Sequence, residues 1–338
     1  MLFSAGLSFA QTSHYSQYYT SELALSPCFA ARESHITVGL NSRTQWANVV
    51  PYQANQASMI LPIYYKKKRV SNIAGVGLNF FSNDAGQVNV KTSGFALSAA
   101  YNQPLTRNDL HHLYFGLQGG LIQRSTGTGS IQTGNQYNSN VGFDESMSSG
   151  ISSVAANVSG LNLAGGLSYY FNPDKDYRKS DWSGALGVSA YHLNGVDLSV
   201  IDGQEDVLET LVNVYGSVTM HLSGRLYVKP HFLWTKQGAS NLTIAGAYVN
   251  YVILDNHTMI VPNTVQLGAV YRVNDAFVPV VGIGNEFYKL GLSYDWSASL
   301  GKALLLQRAN TFELSLQIAF YHPNKDESLI TQPRYRKN

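Results

Sequence analysis

The sequence has 338 residues and a formal net charge of +2, and only 13% of its residues are charged. This balance offers no strong electrostatic field to nucleic acid or to anionic lipid, and the charged share is about half of that usual in soluble proteins. Aromatic residues reach 12%, and the mean hydropathy is -0.11. Such a composition favours a transmembrane β-barrel, in which lipid-facing apolar residues alternate with polar lumen residues. A soluble all-β protein is the alternative that the composition leaves open.

The N-terminal region predicts a secretory leader and an extended segment. Residues 1–10 are apolar and end in a small residue, which predicts the end of a signal peptide that is cleaved after Ala10. Residues 11–33 lack a clear period and predict an N-terminal segment that lies in the periplasm or plugs the barrel. The sequence contains one cysteine, Cys28, so an intrachain disulfide is excluded.

Residues 34–321 predict a single barrel of about 14 strands. Period-two alternation, which is typical of a strand with one apolar and one polar face, recurs along this whole stretch. It is clearest near the end, where apolar and polar side chains alternate without interruption from Asn310 to Tyr321. The other predicted strands cover residues 35–46, 56–65, 73–81, 91–101, 113–123, 154–171, 182–193, 210–221, 225–236, 241–253, 264–273, 276–284 and 287–297.

The polar strand faces predict a hydrated or plugged lumen. They carry Arg43, Lys289, Asp295 and Glu313 among many Gly, Ser, Asn and Gln residues. Burying unpaired charges of this kind in the core of a soluble sandwich costs several kcal/mol each, whereas a lumen tolerates them. The apolar faces are therefore predicted to meet lipid, and the fold is predicted as a closed antiparallel transmembrane β-barrel.

The connections predict how the barrel is oriented. In outer-membrane barrels short turns face the periplasm and long loops face outside. With a periplasmic N-terminus, residues 125–153, which show no apolar period, and the acidic loop 194–209 both fall outside. The basic turn 66–69 and the turn at Pro104 fall in the periplasm. An even strand count returns the C-terminus there too, so residues 322–338 are predicted to form a periplasmic basic tail.

Four stretches of the sequence carry a family resemblance. They are His14–Tyr18 with Ser26-Pro27, Asn41–Trp46, Gly75–Phe80 with Asp84–Gly86, and Gly291–Asp295 followed by Phe312–Leu316. In their order and spacing, they resemble the PorP/SprF outer-membrane proteins of the type IX secretion system of Bacteroidota. The family opens with aromatic-Ser-Gln-aromatic and then Asn-Pro-Ala, so Ser26 and Cys28 depart from that pattern.

The resemblance implies a non-enzymatic outer-membrane barrel without catalytic residues, cofactor or metal. The implied partners are outer-membrane lipid, other type IX secretion or periplasmic envelope components, and a secreted client with a C-terminal sorting domain. Such a client, for example an adhesin in gliding motility, would be docked or anchored at the cell surface. The family-signature and lumen residues that the resemblance and the strand faces indicate are Asn41, Arg43, Trp46, Asp84, Gly86, His192, Tyr294, Asp295 and Glu313.

Individual signature residues favour structural roles over chemistry. Arg43 is predicted to pair with an acid in the lumen, and Trp46 is predicted to lie in an interfacial aromatic girdle. Asp295 and Glu313 could do acid–base work as paired carboxylates, but neither a nucleophile nor a metal spacing accompanies them. Pairing of these two acids with Lys289 is the prediction.

Two functions remain open from the sequence. In a docking barrel, residues 125–153 and 194–209 meet the exported client, and Tyr137 and Phe143 are the candidate contacts because aromatic side chains in polar loops often carry binding. The alternative is an outer-membrane channel for passive or selective solute uptake. An open lumen lined by charges of one sign favours uptake, whereas a lumen plugged by residues 11–33 or by a loop favours docking.

Overall fold

The computed structural model describes most of the barrel and the segment that precedes it. The predictions for residues 1–10, residues 322–338, Trp46 and Gly86 lie outside the described residues. The described residues are 14–33, 35–45, 52–64, 72–85, 90–106, 110–126, 134–138, 142–144, 146–147, 157–172, 182–201, 203, 205–253, 261–285, 287–297 and 311–320.

Fourteen antiparallel strands form the barrel wall, one of which is divided into β15 and β16. Two short strands, β6 (Tyr137–Asn138) and β7 (Gly142–Phe143), form a separate hairpin. None of the described helices is long and apolar enough to cross a membrane. The wall strands are β1 (Ile36–Gln45), β2 (Tyr52–Ile63), β3 (Ala74–Ala85), β4 (Val90–Pro104), β5 (His111–Ser125), β8 (Asn157–Phe171), β9 (Trp182–Tyr191), β10 (Leu211–His221), β11 (Leu226–Gln237), β12 (Ser240–Val252), β13 (Thr264–Arg272), β14 (Ala276–Gly284), β15 (Tyr288–Tyr294), β16 (Trp296–Ser297) and β17 (Thr311–Phe320).

The first and last strands close the barrel. β1 pairs with β17 from Ile36 opposite Phe320 to Gln45 opposite Thr311, and it also pairs with β2. β13 pairs with β14, which joins the remaining two parts of the sheet. The predicted closed antiparallel barrel is confirmed. Strand bounds differ mainly at the ends: β2 begins at Tyr52 rather than residue 56, because its polar start shows no apolar alternation.

Burial alternates along the strands in the predicted sense. In β17, Phe312 and Leu314 are each 49% exposed, whereas Glu313 between them is fully buried. In β4, Phe95 and Leu97 are exposed, whereas Ala96 is buried. The apolar side chains thus face outward, where lipid can cover them, and the polar side chains face the lumen.

Residues 14–33 lie inside the barrel and are called here the inner segment. They form a 3-10 turn (Tyr18–Thr20), one turn of α-helix (Glu22–Leu25) and a second 3-10 helix (Pro27–Ala31). Leu23 is fully buried in the cluster of apolar side chains that the segment forms with the wall. Short helices suit this position, because they satisfy backbone groups that no strand can pair.

The inner segment spans the barrel from one end to the other. The connections after β1, β3, β5, β9 and β15 lie at one end, called the loop end, and the chain enters β1 at the opposite end, called the base. The backbone N–H of Ser16 donates to Glu313, at the loop end of β17. At the base, the side-chain amide of Asn72 donates to the carbonyl oxygens of Ala31 and Glu33.

Two wall glycines allow this close approach. A Cβ atom on Gly75 would overlap the carbonyl oxygen of Ala30, and a Cβ atom on Gly116 would lie 2.5 Å from the backbone nitrogen of Cys28. Glycine is the residue that lets another backbone come this near. The glycine-rich start of β3 is therefore explained by the inner segment that packs on it.

The connection between β9 and β10 folds inward at the loop end. Residues 194–209 are called here the lid, and their described part buries Val196, Leu198 and Leu208 in one cluster with Ile122, a lumen-facing residue of β5. Arg124 donates to the carbonyl oxygen of Leu198 and to Asp206. The predicted acidic loop is thus packed against the lumen wall at this end.

The connection between β5 and β8 contains more structure than its composition predicts. Tyr137 pairs with Phe143 across the β6–β7 hairpin, and Gly142 adopts a φ of 86°, which glycine tolerates best. The predicted long loop 125–153 therefore contains a short β-hairpin, which its lack of an apolar period did not indicate. Tyr137 is 67% exposed and Phe143 is 37% exposed.

Candidate functional site

Four charged side chains from four parts of the wall meet at the loop end of the lumen. Arg43 Nη2 and Arg272 Nη2 each lie 2.7 Å from Asp295 Oδ2, and Arg43 Nη1 lies 3.4 Å from Glu313 Oε2. Each of these four side chains is at most 5% exposed. Two positive and two negative charges therefore neutralise one another in a buried network, called here the latch.

Barrel closure brings the latch together. Arg43 of β1 stands directly opposite Glu313 of β17, and Glu313 stands opposite Ser293 of β15. Asp295 follows β15 by one residue, and Arg272 is the last residue of β13. All of these positions lie at the loop end of their strands. Because the four side chains also point into the lumen, their charged groups lie side by side.

The latch holds the start of the inner segment. The backbone N–H groups of Ser16 and Gln17 donate to the two carboxylate oxygens of Glu313, each at 2.7 Å. The hydroxyl of Ser16 donates to Asp295 at 3.2 Å and accepts from Arg43 and Arg272 at 3.2 and 3.0 Å. Hydrogen bonds to ionised groups are stronger than neutral ones, so this is a firm attachment.

Both the nitrogen and the oxygen of the Gln17 side-chain amide form hydrogen bonds with the wall. Its nitrogen donates to the hydroxyl of Ser293 at 3.1 Å, and its oxygen accepts from the hydroxyl of Ser315 at 2.7 Å. A carboxylate at this position could not donate, and an apolar side chain would leave both hydroxyls without this partner. The Ser16-Gln17 pair is therefore matched to the seam between β15, β17 and β1.

A second set of contacts continues down the inner segment. The hydroxyl of Thr20 donates to the side-chain oxygen of Asn41 at 2.8 Å, and the Asn41 amide donates to Ser21. Further along, Arg32 lies 3.7 Å from Glu22, which also accepts a hydrogen bond from Gln317 at 3.3 Å. Asn41 and Arg43 of the predicted set thus both hold the inner segment.

The chemistry of the latch is attachment rather than catalysis. Both carboxylates are occupied by guanidinium and backbone donors, so neither is placed to exchange protons with a substrate. Within the described part of the chain, no group of three or more His, Cys, Asp or Glu residues could hold a metal ion. The predicted lumen pairing of Arg43 with an acid is confirmed.

The predicted pairing of Asp295 and Glu313 with Lys289 is wrong. Lys289 pairs in register with Gln317 near the base, six residues before Asp295. Six strand residues span about 20 Å, so the Lys289 side chain cannot reach Asp295. Glu313 is instead bonded to Arg43 and to the backbone of Ser16 and Gln17. The partner that sequence reasoning missed is Arg272, whose position at the end of a lumen-facing row was the available signal.

The other predicted residues lie apart from the latch. Asp84 is half-buried in β3 opposite Lys91 of β4. Tyr294 packs against Phe312 with ring centroids 4.9 Å apart. His192 follows β9 with a φ of 58°, and its Nδ1 lies 2.9 Å from the side-chain oxygen of Asn162.

The lid carries one further ordered acid. The backbone N–H groups of Asp206 and Ser199 donate to Asp197 at 3.0 and 2.9 Å. These hydrogen bonds hold the pKa of the Asp197 carboxyl below its usual value, because they favour the ionised form. Asp197 therefore ties the two arms of the lid together as an anion.

The latch joins the opening, the first strand and the closing hairpin, which are three of the stretches that carry the family resemblance. The sequence model for the type IX secretion system membrane protein PorP/SprF matches residues 7–318. The chain belongs to this family. As a PorP/SprF barrel, it is an outer-membrane protein associated with type IX secretion. A search of curated proteins finds no match.

Several solved barrels are similar to this PorP/SprF chain in outline. The monoaromatic hydrocarbon channel CymD shares 12% identity over 90% of this chain and 93% of its own, with a TM-score of 0.46. A FadL homologue of Pseudomonas aeruginosa shares 10% identity over 88% and 93%, also with a TM-score of 0.46. The KdgM porin shares 10% over 85% and 100%, with a TM-score of 0.37. At these scores the likenesses carry no argument about function.

Proposed function

We propose that this PorP/SprF barrel is a docking and anchoring component of type IX secretion, which holds an exported client at the cell surface. The observation that carries the proposal is the inner segment, which spans the lumen and is attached by buried charges at the loop end. A lumen occupied in this way suits a scaffold for proteins better than a route for solutes.

The contents of the lumen weigh against the alternative of solute uptake. Two groups of side chains narrow the passage at the loop end, namely the latch on one side and the buried lid residues on the other. The latch charges neutralise each other, so this described part of the lumen does not present the single sign of charge that an ion-selective channel uses. The N-terminal segment was predicted to lie either in the periplasm or inside the barrel as a plug. The second of these positions supports docking.

The loop end is proposed to face outside. It bears the connections after β5 and β9, which are both long. In outer-membrane barrels the long loops face outside and the short turns face the periplasm. The base, where the chain enters β1 and leaves β17, then faces the periplasm. In this orientation the inner segment begins near the cell surface and descends to the periplasmic side.

The β6–β7 hairpin is the candidate contact with the client. Tyr137 and Phe143 stand opposite each other and are both exposed, so their rings form one small apolar surface on a loop rich in Ser, Gly, Thr and Asn. Aromatic side chains of this kind often carry most of the affinity of an interface. The client is proposed to be a secreted protein with a C-terminal sorting domain, and gliding adhesins belong to this class.

Replacing both rings tests the proposal. The double variant Tyr137→Ser with Phe143→Ser should release most of the client from cells into the medium, because each lost hot-spot contact costs about 2 kcal/mol or more. Heat-modifiable gel migration should stay unchanged, since the barrel ladder does not pass through the hairpin. The readout is the ratio of cell-bound to released client on immunoblots.

Met147→Ser is the matched control. Met147 is exposed on the same loop but does not belong to the hairpin pair. It should leave the client on the cell. Undiminished retention in the double variant would remove the hairpin from the mechanism and would direct attention to the lid.

A further inference from the structure

A cavity of about 370 Å³ lies beside the inner segment. Its walls come from β2, β3, β4, β5, β8, β9 and β10, from Tyr15 and Ala24 of the inner segment, and from Val200 and Leu208 of the lid. Ala85 and Val90, which flank the β3–β4 connection, place one side of it at the loop end. This volume falls within the range of pockets that bind organic ligands.

A row of neutral side chains crosses the wall of this cavity and is called here the amide wall. Gln56 donates to Asn79 at 2.8 Å on one side, and Asn162 lies 2.9 Å from His192 on the other. Gln118 of β5 stands between these two pairs. Strands that neighbour one another in the barrel thus present amides to the same space.

Several polar atoms of the cavity have no hydrogen-bond partner within the described residues. They are the side-chain oxygen of Gln56, the side-chain nitrogen of Gln118, the hydroxyl of Tyr15 and the side-chain oxygen of Asn83. Gln56, Gln118 and Tyr15 are each at most 7% exposed. Buried polar groups in proteins are almost always paired, so this set marks a place where a ligand or water completes the bonding.

The chemistry of the lining selects an uncharged ligand. Among the lining residues that the structure describes, Arg124 alone carries a full charge, and it is already bonded to Asp206 and to a lid carbonyl. The rest of the surface combines neutral donors and acceptors with apolar side chains such as Ile122, Leu208 and Leu211. A ligand that fits must therefore offer both donors and acceptors beside apolar groups.

The lumen wall already binds one polypeptide in this manner. The hydroxyl of Ser189 donates to the carbonyl oxygen of Leu25 at 2.6 Å, and the hydroxyl of Tyr191 donates to that of Leu23 at 2.8 Å. Tyr191 also lines the cavity. Backbone carbonyls of the inner segment thus accept hydrogen bonds from neutral side chains of the wall beside the cavity.

The geometry points to a second polypeptide as the occupant: the cavity binds an extended, uncharged stretch with apolar side chains, which lies beside the inner segment. We assign this stretch to the exported client, and in this respect the inference rests on the proposed function. Its backbone would pair with the amide wall, and an apolar side chain would pack on Ile122 and Leu208. The cavity is therefore a specificity site for a short sequence of the client.

Peptide binding by the detergent-solubilised full-length barrel tests the inference. The probes are blocked tripeptides, acetyl-Ala-X-Ala-amide with X as Val, Leu or Phe, and binding is measured by titration calorimetry. At least one of them should bind saturably at one site per barrel. Ala96→Phe, which fills the cavity from β4, should weaken that binding by about ten-fold or more. Gln118→Leu, which removes one donor, should weaken it by about five-fold.

Gln266→Leu is the matched control, because Gln266 is a half-buried amide of β13 that does not line the cavity. It should bind the peptide as the wild type does. If Ala96→Phe impairs folding on gels, the comparison of Gln118→Leu with Gln266→Leu decides. Absence of saturable binding by all three peptides, equal affinity in Gln118→Leu and the wild type, or tighter binding of maltotriose would overturn the inference. The client-release assay is independent, so the docking function could stand if this site failed.

Discussion

The two sides of the lumen differ in how they treat their polar groups. On the side of β13, β15, β17 and β1, the latch pairs every one of its charges and encloses the start of the inner segment. On the side of β2, β3, β5 and β8, the amide wall is neutral and leaves donors and acceptors unpaired. The first arrangement suits a segment that stays bound, and the second suits a ligand that binds and dissociates.

Electrostatics explains why these tasks are separated. A buried charge that loses its partner is strongly penalised, so a network such as the latch fixes one geometry and resists exchange. An unpaired neutral amide costs less and can be satisfied by water until a ligand arrives. A lumen with buried charges on both sides would either bind its ligand too firmly or be unstable when no ligand is present.

The largest expected effect is the loss of a latch charge. Arg43→Met leaves Glu313 without its arginine and should lower the free energy of unfolding by about 3–5 kcal/mol. Gln118→Leu on the amide wall should change it by about 1.5 kcal/mol or less, because the lost donor has no protein partner. Guanidinium unfolding in detergent micelles measures both.

The same pair of variants can be compared in planar bilayers. Release of the inner segment in Arg43→Met should raise the steady current above that of the wild type and of Gln118→Leu. Similar unfolding free energies for both variants would show that the two sides of the lumen are not energetically different.

An intermediate effect is expected from adding a long side chain to either side. Ser315 is 2% exposed and touches Gln17, so Ser315→Met should cost about 2–3 kcal/mol through overpacking. Ala96 borders the cavity, so Ala96→Met should cost about 1 kcal/mol or less, because the uncharged side chain can extend into free space. Folded yield on heat-modifiable gels ranks the two, and equal yields would contradict a difference in room.

The smallest effect is expected at the lid. Asp197→Ala removes the hydrogen bonds to the backbone of Ser199 and Asp206, so amide exchange in this region should become several-fold faster while β17 keeps its rate. Because the folded pKa of Asp197 is lowered, its contribution is complete above the usual aspartate pKa and is lost as the pH falls through the folded value. The wild-type lid in strong acid should therefore behave like the variant. An unchanged exchange rate would show that apolar packing alone holds the lid.

The strand pattern made the barrel predictable, because lipid outside and a polar lumen inside impose a period of two on every strand. Closure also makes the first and last strands neighbours, so the pairing of Arg43 with Glu313 was within reach of the sequence. The choice of Lys289 failed because it considered strand faces and ignored position along the strand. Facing alone does not say at which end of the barrel a side chain lies.

The remaining features had no comparable signal. The inner segment has no hydrophobic period, because its short helices are determined by the wall around them. Tyr137 and Phe143 were recognisable as aromatic residues in a polar loop, but nothing in the loop composition indicated their cross-strand pairing or the positive φ of Gly142. The amide wall combines residues from five chain segments, and only the strand register places them together.

The latch also has a consequence for the order of assembly. Ser16 and Glu313 are 297 positions apart, so the inner segment must wait for β17, which is made much later. Until β17 is in place, the inner segment lacks the carboxylate of Glu313, and the wall lacks the hydrogen-bonded pair of β1 and β17. Both are supplied in one step. If the inner segment is misplaced during insertion, the buried charges of the latch have no partners at this step. The pairing of β1 with β17 can therefore act as a checkpoint at which incorrectly filled barrels fail to close.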